Sequence, residues 1–232
     1  MKQMVRILLN AFIFFLPAIT HGQAAEELVL KVKEKFDKVN DYEAKGKMKM
    51  NVTFIKAPVA TVKVYYKKPD KLKINNESGI SLVPKGSINI SIANIIANAA
   101  ECDIIDAGKE EKTQWRVVKL LPRNEAADIV LSTLYIDEQL LLIRKTRTTT
   151  KENGTYELEM TYGKYAEYGL ADKVIFSFNT KDYKLPKGVT FDYDDGTKKE
   201  ESKDKLKNKK GKVEISYSSY AINKGVPDSI FK

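Results

Sequence analysis

Strict alternation of polar and apolar residues is the feature that most constrains how this 232-residue chain can fold. Side chains of a β-strand point alternately to opposite faces of a sheet, so a period of two predicts a strand with one buried and one solvated face. Residues 45–54 follow this rule, with lysine, asparagine or threonine between the apolar or small positions Gly46, Met48, Met50, Val52 and Phe54. The pattern recurs at 60–66 and around 72–74, separated by turns at 57–58 and 69–70. These segments predict an antiparallel meander with one wet face.

Strand patterns also cover most of the remaining chain. They lie at 80–83, 115–120, 128–136, 140–150, 155–162, 173–178, 189–193 and 212–220, which brings the predicted total to about eleven strands. Helical spacing occurs in two places: Leu28, Val32 and Phe36 predict an amphipathic helix, and the isoleucines of 87–100 predict a short helix or a pair of turns. A sheet of this size with few helices predicts one mainly β (α+β) domain, built as an open barrel.

The N-terminal segment has the three parts of a secretory signal peptide. Lys2 and Arg6 precede an apolar run at 7–19, and the small residues Gly22 and Ala24 follow it. This run of 13 residues is shorter than the roughly 20 residues that a membrane-spanning helix needs. We therefore expect residues 1–24 to be removed by cleavage near 22–24, which leaves 25–232 as a soluble periplasmic domain. A buried N-terminal helix of a cytosolic protein is the alternative.

The residue inventory argues against hydrolytic chemistry. His21 is the only histidine and lies before the expected cleavage site, whereas serine, cysteine and zinc hydrolases usually depend on an imidazole. Cys102 follows an apolar helical run, which predicts a buried structural thiol. The densest carboxylates, Asp192, Asp194 and Asp195, are expected at a solvated strand end, with an exported carboxylate enzyme as the alternative. We therefore predict a protein that is not an enzyme and that has no metal site.

Charge limits the choice of partners. The formal net charge is +9, but lysines alternate with acidic residues along most of the chain, which is typical of a solvated surface. Residues 194–211 are almost all charged and predict a mobile loop, or alternatively a basic finger that touches a phospholipid surface. Export argues against nucleic acid as a partner.

The apolar face of the meander contains two methionines. The flexible thioether of methionine suits a surface that must accept variable shapes, and an apolar cavity between sheet and helices would bind acyl chains. Ordinary core packing is the alternative. The predicted lining comprises Met48, Met50, Val52, Phe54, Val64, Tyr66, Leu72 and Ile74 from the sheet and Ile92, Ile95 and Ile96 from the lid.

Two stretches of sequence resemble a known family. Residues 65–74 read YYKKPDKLKI across the second turn of the meander, and residues 222–231 close the chain with INKGVPDSIF. Together with the order of helix, meander and covered sheet, they resemble the LolA-like periplasmic carriers of outer-membrane lipoproteins, whose relatives include LolB and RseB.

The resemblance implies a half-barrel of eleven strands under a helical lid, with an apolar cavity that holds lipoprotein acyl chains in the periplasm. It implies no cofactor and no covalent step. We expect a monomer that takes acylated lipoproteins or lipids from an inner-membrane donor and passes them to an outer-membrane acceptor, with an RseB-like sensor acting through a protein partner as the alternative. These carriers have an arginine directly before the proline of the turn, where it helps to close the lid. This chain has Lys68, the candidate latch, which lacks arginine's planar fork of donors.

Overall fold

One antiparallel sheet dominates the fold. The computed structural model describes residues 21–51, 59–76, 95–96, 98–152, 154–179 and 210–231. A helix, α1, spans His21–Asp37, and short 3₁₀ helices lie at Asn98–Glu101, Ala166–Tyr168 and Asp228–Phe231. The strands are β1 (Asp41–Asn51), β2 (Ala60–Lys67), β3 (Lys71–Asn76), β4 (Cys102–Lys109), β5 (Arg116–Pro122), β6 (Ile129–Asp137), β7 (Leu142–Thr150), β8 (Gly154–Thr161), β9 (Lys173–Asn179) and β10 (Lys210–Ile222).

The sheet is open, and its first and last strands pair with each other in the middle. Its strand order is β3-β2-β1-β10-β9-β8-β7-β6-β5-β4, so β1 pairs with β10 in the middle while β3 and β4 form the two edges. Consecutive strands otherwise lie side by side, as expected for hairpins. The prediction of a mainly β half-barrel with few helices is confirmed.

The strand predictions can be compared one by one. Nine of the predicted strands correspond to strands of the described residues, while the segments predicted at 80–83 and 189–193 lie outside them. The described part of the chain contains ten strands because β4, which we did not predict, is the tenth. Within β4, Ile104 is half-buried and Ile105 faces solvent with 45% of its surface exposed. Because both positions carry isoleucine, the sequence does not show the alternation of buried and exposed residues there. Edge strands of this kind lack the second neighbour that would bury such a residue.

The predicted charged loop is shorter at its end than we expected. Lys210 and Gly211 belong to β10, and Gly211 lies opposite Phe178 of β9. A side chain at Gly211 would clash with the ring of Phe178, which accounts for glycine at this position. Residues 194–209, and the carboxylates Asp192, Asp194 and Asp195, lie outside the described residues.

The main core lies between α1 and one face of the sheet, which we call the inner face. One row of directly opposite residues crosses eight strands of this face: Met50, Val213, Phe176, Leu158, Thr146, Leu134, Val118 and Asp106. Leu28, Val29 and Val32 of α1 pack into the same cluster as the apolar residues of this row. The helical periodicity of the sequence therefore corresponds to the side of α1 that the sheet buries.

Candidate ligand-binding face

The predicted lining residues occupy the inner face of β1, β2 and β3. Met48, Val64 and Tyr66 are buried, and Met50, Leu72 and Ile74 are half-buried. Ile95 and Ile96, predicted for the lid, are buried as well. Val52, Phe54 and Ile92 lie outside the described residues.

Strand register brings the sheet residues together. Val64 lies opposite Ile74, Tyr66 opposite Leu72, and Met48 opposite Ala60. Met48 and Val64 form one buried cluster with Ala44, Ala60, Val62 and Ile215, and Leu72 and Ile74 pack against it. We call this group the β1–β3 cluster. Met50 packs instead against the core beneath α1, and Val213 contacts both groups, so the inner face is apolar without a break from one cluster to the other.

The lid residues lie on a different part of the inner face. Ile95 and Ile96 belong to the core cluster that contains Leu28 and Leu134, and not to the β1–β3 cluster. Of the predicted sheet residues, Met50 is the one that shares their cluster. Ile95 and Ile96 therefore cover the α1 side of the inner face.

A group of tyrosines, of which sequence reasoning singled out only Tyr66, closes one end of the β1–β3 cluster. The ring of Tyr42 stacks on that of Tyr66, with centroids 5.3 Å apart, and meets Tyr220 edge-on at 5.3 Å. Tyr220 also contacts the rings of Tyr165 at 4.9 Å and Tyr217 at 5.1 Å. Aromatic pairs at such distances contribute about 0.5–1.5 kcal/mol beyond their buried area, so this group stabilises the junction of β1, β2 and β10.

Part of this group could have been found from the sequence. Tyr42 continues the period of two that runs through Ala44, Gly46 and Met48, so extending the pattern toward the N-terminus would have included it. Tyr217 and Tyr220 lie three residues apart, which breaks that period. The register of β10 against β1 shifts here, because Lys45 pairs with Ser219 and Gly46 pairs with Tyr217. The bulge turns both rings toward the inner face.

Burial raises the pKa of several of these phenols. The pKa of Tyr66 rises to about 12, and the pKa values of Tyr42, Tyr217 and Tyr220 rise well above the ordinary value, with burial the largest cause in each case. All four phenols are therefore neutral at physiological pH. They can donate hydrogen bonds, and they add no charge to the apolar face.

Comparison with solved structures identifies the type of fold. No family model and no curated protein matches the sequence. A DUF1329 family protein from Desulfovibrio piger aligns with 91% of this chain and 97% of its own, at 12% identity and a TM-score of 0.54. A LolA superfamily protein from Nitrosomonas europaea aligns with 90% and 97%, at 9% identity and a TM-score of 0.51. The chain has a LolA-like fold. A domain from Vibrio parahaemolyticus, described as an outer membrane lipoprotein-sorting protein domain, aligns with 90% and 97% at 9% identity and a TM-score of 0.52.

Within this LolA-like fold, Lys68 contacts the end of α1. Its Nζ donates a hydrogen bond to the main-chain carbonyl of Asp37 at 2.8 Å and lies 3.7 Å from Asp37 Oδ1. Asp37 is the last residue of α1, and the final carbonyls of a helix lack partners within the helix and carry partial negative charge. The lysine therefore ties the β2–β3 turn to the C-terminus of α1, while its role as a latch stays a prediction.

A second lysine holds α1 on the other side. Nζ of Lys35 donates to the carbonyl of Leu140, in the turn between β6 and β7, at 2.5 Å. Burial lowers the pKa of Lys35. Lys35 thus connects the last turn of α1 to the β6–β7 turn, while Lys68 connects the β2–β3 turn to the same turn of α1. The end of α1 is therefore bonded to both halves of the sheet.

The two stretches that resemble the LolA-like carriers contact each other. Asp228 lies between Lys67 at 3.1 Å and Lys71 at 2.8 Å, and these lysines lower the pKa of its carboxyl group. Lys73 donates to the carbonyl of Ile230 at 2.5 Å. The C-terminal segment thus lies against the lysines on the outer face of β2 and β3. No helix in the described ranges is both long and apolar enough to cross a membrane.

Loss of the Lys68 contact should loosen the end of α1. We expect Lys68→Met to lower the free energy of unfolding by about 1 kcal/mol and to speed amide hydrogen exchange at residues 35–39, because the carbonyl of Asp37 loses its donor. Lys38→Met is the matched control, since Lys38 is exposed and its side chain makes no hydrogen bond or ion pair with the described residues. Exchange in Lys68→Met as slow as in the control would show that Lys68 does not restrain α1.

Proposed function

We propose that this protein is a periplasmic carrier that shields the acyl chains of lipoproteins or lipids and delivers them to the outer membrane. The observation that carries the proposal is the unbroken apolar inner face of a LolA-like sheet, from the β1–β3 cluster to the residues beneath α1. An acyl chain needs an apolar surface of this kind and no reactive group.

The carrier works by burial, without catalysis. Each methylene group transferred from water to apolar surroundings contributes about 0.8 kcal/mol to the free energy of binding. Burial of part of one acyl chain therefore supplies ample affinity. Release then requires either a competing apolar site on an acceptor or movement of the elements that cover the inner face. Such movement would break the contacts that Lys35 and Lys68 make with the last turn of α1 and its surroundings.

Cargo bound to the natural protein tests the proposal directly. The mature protein is purified from its own envelope under mild conditions and examined by native mass spectrometry. We expect adducts whose masses match acylated lipoproteins or lipids, and we expect the emptied protein to take up a triacylated lipopeptide but not the same peptide without acyl chains.

Two results would contradict the carrier. A protein that is bare when isolated and still empty after incubation with the triacylated lipopeptide has no acyl-binding function. A protein that binds acyl chains but crosslinks in the envelope to an inner-membrane regulator, and to no lipoprotein, would be a sensor.

A further inference from the structure

Tyrosine hydroxyls on the inner face fall into two groups, those that bond to the protein and those that have no partner among the described residues. Tyr162 donates to the carbonyl of Ile143 at 2.7 Å, and Tyr220 donates to the carbonyl of Ala171 at 2.6 Å. In contrast, the described residues offer no hydrogen-bond partner to the hydroxyl of Tyr42 or of Tyr217. A chain that needed only the packing of these rings would be served equally well by phenylalanine.

Both tyrosines border the β1–β3 cluster. They pack against this cluster, and the centroids of their rings lie 5.3 Å and 5.1 Å from that of Tyr220. Tyr217 lies directly opposite Gly46 in the β1–β10 pair. A Cβ at Gly46 would meet the main-chain oxygen of Ser216 at 2.6 Å, so the glycine lets β10 approach β1 closely beside Tyr217.

The surroundings of the two phenols differ from those of a closed core. Tyr42 and Tyr217 keep part of their surface accessible, yet burial raises the pKa of both, and each phenol lies close enough to the other for Tyr217 to raise the pKa of Tyr42 further. Both side chains are therefore open to a ligand at part of their surface. Thr146 also has an unpartnered hydroxyl, but its exposure is 0%, so no ligand can reach it.

We propose that the hydroxyls of Tyr42 and Tyr217 form a polar anchor that donates hydrogen bonds to the carbonyl or carboxylate oxygen at the head of a bound acyl chain. This inference rests on the proposed function, because it requires an acyl chain on the inner face. The ligand class is an acyl lipid with an oxygen acceptor at the chain head, which free fatty acids, esters and the amide-linked chains of lipoproteins share. Neutral donors suit all three, since they demand no charge on the ligand.

The anchor can be tested by removing one oxygen atom at a time. Tyr42→Phe and Tyr217→Phe keep the rings and the apolar face. Tyr135→Phe is the matched control, because Tyr135 is a half-buried tyrosine on β6 that packs over Lys145, with Nζ 5.1 Å from the ring centroid, and faces away from α1. Affinity is measured by displacing the apolar fluorophore diphenylhexatriene with palmitic acid, methyl palmitate or hexadecane. Hexadecane has no acceptor and so reports the apolar surface alone.

We expect each anchor variant to bind palmitic acid and methyl palmitate about fivefold more weakly, which corresponds to one neutral hydrogen bond. Hexadecane should bind as it does to the wild type, and Tyr135→Phe should change none of the three affinities. The empty anchor variants should unfold at the same temperature as the wild type or higher, because no hydrogen bond within the protein is lost. Weaker binding of the acid alone would assign the anchor to free carboxylates.

Three results overturn the anchor. If palmitic acid and methyl palmitate bind the variants with wild-type affinity, the hydroxyls contact no ligand, although the carrier function stands. Equal loss for hexadecane would make the tyrosines packing residues. If the wild type binds neither diphenylhexatriene nor any competitor, the carrier function fails, and the anchor fails with it.

Discussion

Met50→Glu should lower the affinity for palmitic acid at least about 100-fold, measured by displacement of diphenylhexatriene. Met50 lies opposite Val213, the residue that contacts both apolar clusters of the inner face. A carboxylate at this position must either stay ionised against a bound acyl chain or take up a proton, and both cost free energy in the bound state. Met50 is half-buried, whereas Met48 is only 3% exposed, so the same change at Met48 would endanger folding itself.

Two controls separate the binding face from the strand that carries it. Lys47→Glu adds a carboxylate to the exposed side of β1, opposite Thr61 and Ser216, and should leave acyl affinity unchanged. Met50→Leu keeps an apolar side chain of similar volume and should change affinity by less than about threefold. If Met50→Glu folds and binds palmitic acid as the wild type does, the assignment of the inner face as the lining is wrong.

The strands with one wet face were readable from the sequence for a physical reason. On β1, buried Ala44, Gly46 and Met48 alternate with exposed Lys45 and Lys47. Because burial has a period of two, polar and apolar residues alternate with the same period in the sequence. Where the sheet departs from regular geometry the pattern fails. The bulge in β10 places Tyr217 and Tyr220 three residues apart, and no local rule anticipates that both lie on the inner face.

The arrangement of the site depended on contacts between distant parts of the chain. Pairing of β1 with β10 joins Tyr42 to Ile222, and it is this pairing that assembles the tyrosine group. Helical spacing predicted Ile95 and Ile96 for a lid, yet periodicity does not specify which half of the sheet such a segment covers. The resemblance to LolA-like carriers drew attention to Lys68, but only the fold shows that its partner is the end of α1.

Leu134→Ala should lower the free energy of unfolding by about 3 kcal/mol, measured by urea denaturation. Leu134 is 0% exposed and lies between Thr146 and Val118 in the row beneath α1, so truncation leaves a cavity that the rigid sheet cannot close. Leu140→Ala is the matched control: Leu140 is 48% exposed in the turn after β6, and its removal should change stability by less than about 0.5 kcal/mol.

The same variant tests whether the two halves of the inner face have separate tasks. Leu134 belongs to the cluster that supports α1 and is 0% exposed, so it lies outside the accessible part of the inner face, which runs from the β1–β3 cluster to Met50 and Val213 and where we expect the acyl chain to bind. Domains of this kind are stable by about 5–15 kcal/mol, so Leu134→Ala remains folded at low temperature and can be titrated there. We expect its affinity for palmitic acid to equal that of the wild type under those conditions. A loss of affinity in step with the loss of stability would mean that the acyl chain enters the core between α1 and the sheet, and the lining would then have to be extended to the fully buried residues beneath that helix.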